Sequence, residues 1–177
     1  SGQTAFANDL LTRAQNAWTR ASGTTSNFTS FQQSCDNGDI KSGDADMDAT
    51  TQMQYTMAAA IYLYAATGNS TYSDFVNARY SNINPMSSGW WGPYDTEYGR
   101  ALLFYASLPS VNATIKNNIR NSKANSGTGT GLNEYLNNQD LYRSHMPDAQ
   151  YHWGSNQVKA YIGAQQIDYI TNNLNTS

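Results

Sequence analysis

The apolar positions of this chain recur every three or four residues, in separate blocks, rather than at every second residue. From Ala5 to Ala21, the residues Phe6, Leu10, Leu11, Ala14, Ala17 and Trp18 fall on one side of a helix, and Gly23 follows as a stop signal. Thr51 to Thr67 carries the strongest stripe, formed by Met53, Met57, Ala60, Ile61 and Tyr64 and ended by Gly68. Ser70 is the expected cap of a short helix that runs through Arg79. Asp95 to Ser107 places Tyr98, Leu102 and Tyr105 on one face, with Asp95 suited to cap its start, and Pro109 breaks it. Asn112 to Lys123 is a more polar helix, and a last helix is predicted from Ser155 to about Ile170. The stretches from Thr24 to Asp48 and around Gly127, Gly129 and Gly131 are polar and read as loops. No segment alternates apolar and polar residues for long, and no hairpin dipeptide joins two β-branched runs, so no strand is predicted. The pattern is that of an all-α chain of about six helices paired as hairpins. It reads as a single α-helical domain over residues 1–177.

Two of these helices, around Ala58 and Ile162, are apolar or aromatic on more than one face. A helix of that kind is expected to be covered on both sides. That suits the inner helix of a layered α/α array. Two rings of helices need more helices than this chain supplies, so the expectation is part of something larger.

Composition narrows the partners. Charged residues make up only 13% of the chain, about half the usual share, and Asn, Ser, Thr, Gly and Tyr take their place. A formal charge of -3 gives no basic patch for phosphate, which excludes nucleic acid as an expected partner. No apolar run approaches the roughly 20 residues that span a bilayer, so no membrane partner is expected. The first residues show no apolar leader core, so any leader is expected to be gone or never to have been present. Cys35 is the single cysteine, cannot form an internal disulfide, and reads as an inert thiol. N-x-Ser/Thr sequons occur at Asn27, Asn69, Asn112 and Asn175. With the abundant hydroxyls and amides, they point to a secreted, N-glycosylated protein.

The candidate chemistry lies in two aromatic stretches. Gly89-Trp90-Trp91-Gly92-Pro93-Tyr94-Asp95 sets two tryptophans in a loop before a helix, with glycines on both sides. Adjacent tryptophans cannot face the same way. An accessible indole is a platform for the apolar C–H face of a sugar, and the competing reading is a loop anchor in the core. Tyr151-His152-Trp153-Gly154-Ser155-Asn156 brings three rings and hydrogen-bonding groups together just before the last helix. Trp18 lies on an apolar stripe and reads as core.

The ionisable groups give less. Asp36, Asp39, Asp44, Asp46 and Asp48 crowd one loop, and Asp44, Asp46 and Asp48 share the spacing that opens a calcium loop. The glycine and closing glutamate of an EF-hand are missing, so a solvated acidic loop is the default and irregular calcium binding the alternative. Cys35, His145 and His152 do not make a metal set, and no metal or other cofactor is expected. Glycosidic hydrolysis needs two carboxylates across a cleft. Asp95 and Glu97 stand two apart at a helix start and point to different sides, so no catalytic residue is assigned. His145 and His152 are each a candidate base or sugar partner, without the spacing of a Ser-His-Asp set. The glycine run at Gly127, Gly129 and Gly131 lacks the lysine and the strand-to-helix context of a phosphate loop.

Three segments resemble glycoside hydrolase family 9, the inverting cellulases. Met57-Ala58-Ala59-Ala60-Ile61-Tyr62-Leu63-Tyr64-Ala65-Ala66-Thr67-Gly68-Asn69, followed by Tyr72, looks like the family's W-A-A-A-E-L-Y-x-A-T-G-D helix and turn. Trp90-Trp91-Gly92-Pro93-Tyr94-Asp95 leading to Tyr98-Gly99 is the second. Tyr151 to Asn156, leading to Val158 and Ala160, looks like the family's Y-x-W-G-S-N stretch and is the most specific of the three.

The resemblance implies part of an (α/α)6 barrel of a secreted endo-β-1,4-glucanase. It implies a β-glucan chain as substrate, and either missing segments of the same catalytic domain or self-association as protein partners. The substrate-binding residues it carries over are Trp90, Trp91, Tyr94, Tyr151, His152 and Trp153. The family's D-A-G-D segment with the catalytic base and its later general-acid segment have no counterpart here. Ala58 stands where the family has tryptophan, Gln54 and Tyr55 where an acidic pair is usual, and Lys159 and Tyr161 where small or amide residues are common. The alternative reading is a non-catalytic helical domain that binds carbohydrate or protein.

Overall fold

Each apolar stripe of the sequence forms a helix in the computed structural model, which describes residues 3–23, 28, 49–94, 96–126 and 155–174. The helices are α1 (Thr4–Ala21), α2 (Ala49–Thr67), α3 (Ser70–Arg79), α4 (Thr96–Ser107), α5 (Ala113–Ala124) and α6 (Ser155–Thr171). A single 3-10 turn, Tyr80–Asn82, follows α3. No strand occurs among the described residues, and the class is all-α as the spacing predicts. Cys35, His145, the acidic loop from Asp36 to Asp48, and Asp95 lie outside the described residues. The chain divides into two compact units, Ser1–Ile83 and Asn84–Ser177.

In the first unit α2 and α3 form a hairpin. Gly68 ends α2 in the left-handed region at φ +68°, which favours glycine, and its N–H donates to the Tyr64 carbonyl at 2.8 Å. The next residue is extended, so the Asn69 side chain turns back and accepts from the Thr71 N–H at 3.0 Å. The cap is therefore Asn69 rather than Ser70, which is the first residue of α3. Two cap-type residues stand side by side in the sequence, and the backbone turn at Gly68 decides between them. The hairpin closes over Met57, Ala60, Ile61 and Leu63 from α2 and Tyr72, Phe75 and Val76 from α3. Each large apolar side chain buried this way contributes about 2 kcal/mol. Trp18 of α1, half-buried, packs edge-on against this core, its ring 5.2 Å from Tyr72 and 5.1 Å from Phe75.

The side of α2 turned toward α1 is less covered by the described residues. Tyr55 and Tyr62 are exposed, as are Phe6 and Leu10 on α1. Between α1 and α2 lies an apolar groove of about 620 Å³, lined by Leu11, Ala14, Trp18, Tyr55, Tyr62 and Ala66 among others. Among the described residues α1 packs on α2 less extensively than α3 does.

In the second unit α4 and α5 pair as the other hairpin, and α6 packs on α4. Asn112 caps α5, its side chain accepting from the Thr114 N–H at 2.8 Å. The core holds Leu102 and Tyr105 of α4 and Ile119 of α5, with Tyr98 half-buried, and Val158 and Ile162 of α6 form a second small apolar cluster. Ile167 and Ile170 of α6 are exposed. No described helix is long and apolar enough to cross a membrane.

Asn69→Ala is expected to destabilise the chain by about 1 kcal/mol, and Asn69→Asp to retain most of that stability. Urea unfolding followed by helical circular dichroism checks both, and equal midpoints for Asn69→Ala and the native chain would remove the capping role.

Candidate functional site

The loop that precedes α4 sorts its two tryptophans by burial. Gly89 sits in the left-handed region at φ +67°, which turns the chain just before them. Ser88 accepts from the Trp90 N–H at 3.1 Å and fixes the first step of the turn. Successive side chains then leave on opposite sides. Trp91 goes inward, with 4% of its surface exposed, and Trp90 outward, with 39% exposed.

Trp91 is held on every edge. Its indole Nε1–H donates to Ser122 Oγ of α5 at 3.0 Å. Its six-membered ring lies on the backbone of α4 at Gly99, where an added Cβ would come within 3.0 Å of the ring. The Lys123 ammonium of α5 lies 5.5 Å from the ring centroid. The neighbouring Gly92 carbonyl accepts from Gln165 Nε2 of α6 at 2.7 Å, so three helices grip this loop.

Trp90 folds back across Gly92. A Cβ at Gly92 would overlap the Trp90 six-membered ring, so the ring lies directly on the glycine backbone. Tyr94, 55% exposed, stands beside it with ring centroids 6.1 Å apart and planes tilted by 34°. The pair presents two exposed rings, inclined to each other and edged by a phenol hydroxyl, and each ring is a surface on which apolar C–H faces stack.

Lys123 is the buried charged residue beside Trp91 that sequence reasoning passed over. It is 1% exposed on a helix that otherwise reads as polar, and periodicity gives no sign of which polar position turns inward. Its ammonium also lies 4.7 Å from the Tyr169 ring, and cation–π attraction replaces part of its lost hydration. Burial lowers its pKa from 10.5 to about 8, against an opposing pull from the Asp168 carboxylate. Asp168 is ion-paired with Arg100 at 3.3 Å, joining α6 to α4. The Tyr169 hydroxyl donates to the Lys123 carbonyl at 3.1 Å and joins α6 to α5.

Of the sequence-assigned site residues, the structure brings together Trp90 and Tyr94 on the surface and puts Trp91 beneath them. Tyr151, His152 and Trp153 lie outside the described residues, and α6 starts two residues after Trp153, at Ser155, where the sequence places the helix start. The carboxylates described in this unit are Asp168, paired with Arg100, and Glu97, exposed in the first turn of α4. Among the described residues no group of three or more His, Cys, Asp or Glu side chains is placed to hold a metal ion.

The sequence model of the family described as Glycosyl hydrolase family 9 matches residues 1–174. No curated protein and no solved structure matches the chain significantly.

Gly92→Ala is expected to push the Trp90 ring off the backbone while Trp91 stays buried. A shift of indole fluorescence toward that of a solvated tryptophan, with the unfolding midpoint lowered by only a few degrees, checks it. The Lys123 amine has a lower pKa folded than unfolded, so the unfolded chain binds more protons between pH 8 and 10.5. Stability therefore rises with pH across that window, by on the order of 3 kcal/mol in total. Lys123→Met removes the slope, and urea titrations of both proteins at pH 7 and pH 10 measure the difference.

Proposed function

The chain belongs to glycosyl hydrolase family 9, and on that premise we propose that it is a segment of a secreted enzyme that hydrolyses β-1,4-glucan with inversion. Its part in that enzyme is an aromatic wall of the substrate cleft. The observation that carries this reading is the exposed Trp90–Tyr94 pair, held in place by a buried Trp91. Glucan chains are flat ribbons with apolar faces, and a rigid ring pair on an anchored loop binds such a face with little loss of side-chain freedom. Tyr151, His152 and Trp153, just before α6, are the second stretch of the wall by resemblance to the family.

The chemistry belongs to two carboxylates outside the segments that resemble the family here. One activates a water on the far side of the sugar ring, and the other protonates the leaving oxygen. The open groove between α1 and α2 supports the view that further helices of the same catalytic domain pack against this chain. A family member acting on glucan outside the cell also accounts for the low charge and the sequons at Asn69 and Asn112, both exposed.

Titration calorimetry with cello-oligosaccharides tests the reading. Trp90→Ala is expected to weaken binding by about tenfold, the loss of roughly 1.4 kcal/mol from one stacking contact, with the helical spectrum unchanged. A folded chain that binds no glucan oligosaccharide would remove the cleft-wall role. Release of reducing ends by the 177-residue chain alone would overturn the assignment of the catalytic carboxylates to other segments.

A further inference from the structure

We propose that a small cavity beneath Trp91 is the site of one internal water molecule, held by the Lys123 ammonium and shared with the polar wall formed by α6. The cavity has a volume of about 10 Å³ and is lined by Trp91, Gly99, Leu103, Lys123, Gln165 and Asp168 among others. Lys123 Nζ is fully buried, and among the described residues no protein acceptor lies within hydrogen-bond distance of it. An ammonium carries three donors. The Trp91 and Tyr169 rings attract its charge from 5.5 Å and 4.7 Å, but a ring face does not accept a full hydrogen bond. A buried donor left bare is among the more expensive defects in a folded protein. With its pKa at about 8, the amine is still protonated at pH 7 and still needs an acceptor.

Size and charge then select the occupant. A single water requires a cavity of roughly 10–15 Å³, together with two to four polar partners. An organic ligand or a sugar hydroxymethyl group does not fit. An anion there would face the Asp168 carboxylate, and a metal cation would face the Lys123 ammonium and the Arg100 guanidinium. A neutral dipole satisfies both signs, accepting from Lys123 and donating toward α6. One Asp168 oxygen is engaged by Arg100, and a carboxylate has about four acceptor positions in all, so room remains for a water donor. The water would thus tie α5 to α6 behind the loop that carries Trp90, and a protein that bound no sugar would hold it equally.

A crystal structure of the native chain at pH 6.5, at a resolution that shows ordered solvent, is the test. One density peak is expected in the cavity at about 3 Å from Lys123 Nζ. A bromide-soaked crystal is expected to show no anomalous signal at that position. Lys123→Met crystals are expected to lose the peak, and if that variant does not fold, the native map and the bromide soak decide by themselves. A cavity without density, an anomalous bromide peak, or a direct hydrogen bond from Lys123 Nζ to a protein acceptor would each overturn the proposal.

Discussion

The burial of Trp91 is the constraint on which the second unit's surface depends. An indole in a loop is stable only if its ring is covered and its N–H is satisfied. Ser122 satisfies the N–H, and the bare backbone of Gly99 lets α4 approach the ring face. With Trp91 pinned inward, Trp90 lies outward, and Gly92 gives its ring a seat on bare backbone. The exposed platform is therefore a consequence of the buried anchor. This is why two adjacent tryptophans, equivalent in sequence, have different roles.

Polar links hold the anchor's surroundings together. Gln165 reaches the Gly92 carbonyl, Arg100 pairs with Asp168, and Tyr169 bonds the end of α5. The Arg100–Asp168 pair is half open to solvent and contributes less than about 1 kcal/mol, so it orients more than it stabilises. Lys123 is different in kind. Its ammonium is taken out of water without a protein acceptor, and two aromatic faces offset only part of that penalty. A residue held at such expense ties the stability of this region to pH in a way no surface lysine would.

The first unit follows a simpler logic of hairpin and cap. A left-handed glycine, an asparagine cap and two interlocking apolar stripes make α2 and α3 one body, and Trp18 fastens α1 to it edge-on. What remains among the described residues is the apolar groove between α1 and α2. The chain's membership of glycosyl hydrolase family 9 agrees with its all-helical hairpins.

The class and the approximate limits of the described helices were legible in the sequence because a 3.6-residue apolar period, a glycine stop and a proline break are local signals that tertiary contacts rarely override. The family was legible because short aromatic and glycine motifs survive as patterns. Trp90, Trp91 and Tyr94 could be named as one candidate group for the same reason. Which tryptophan faces solvent could not be read, because the answer lies in Ser122 and Gly99, the nearer of them eight positions away along the chain and both brought under the ring only by folding. The cap at Asn69 was misplaced by one residue because the choice depends on a backbone angle at Gly68. Lys123 was invisible altogether. Its burial is set by the meeting of α5 and α6 around Trp91, and no local period records which polar side chain will be enclosed when two helices close on a ring.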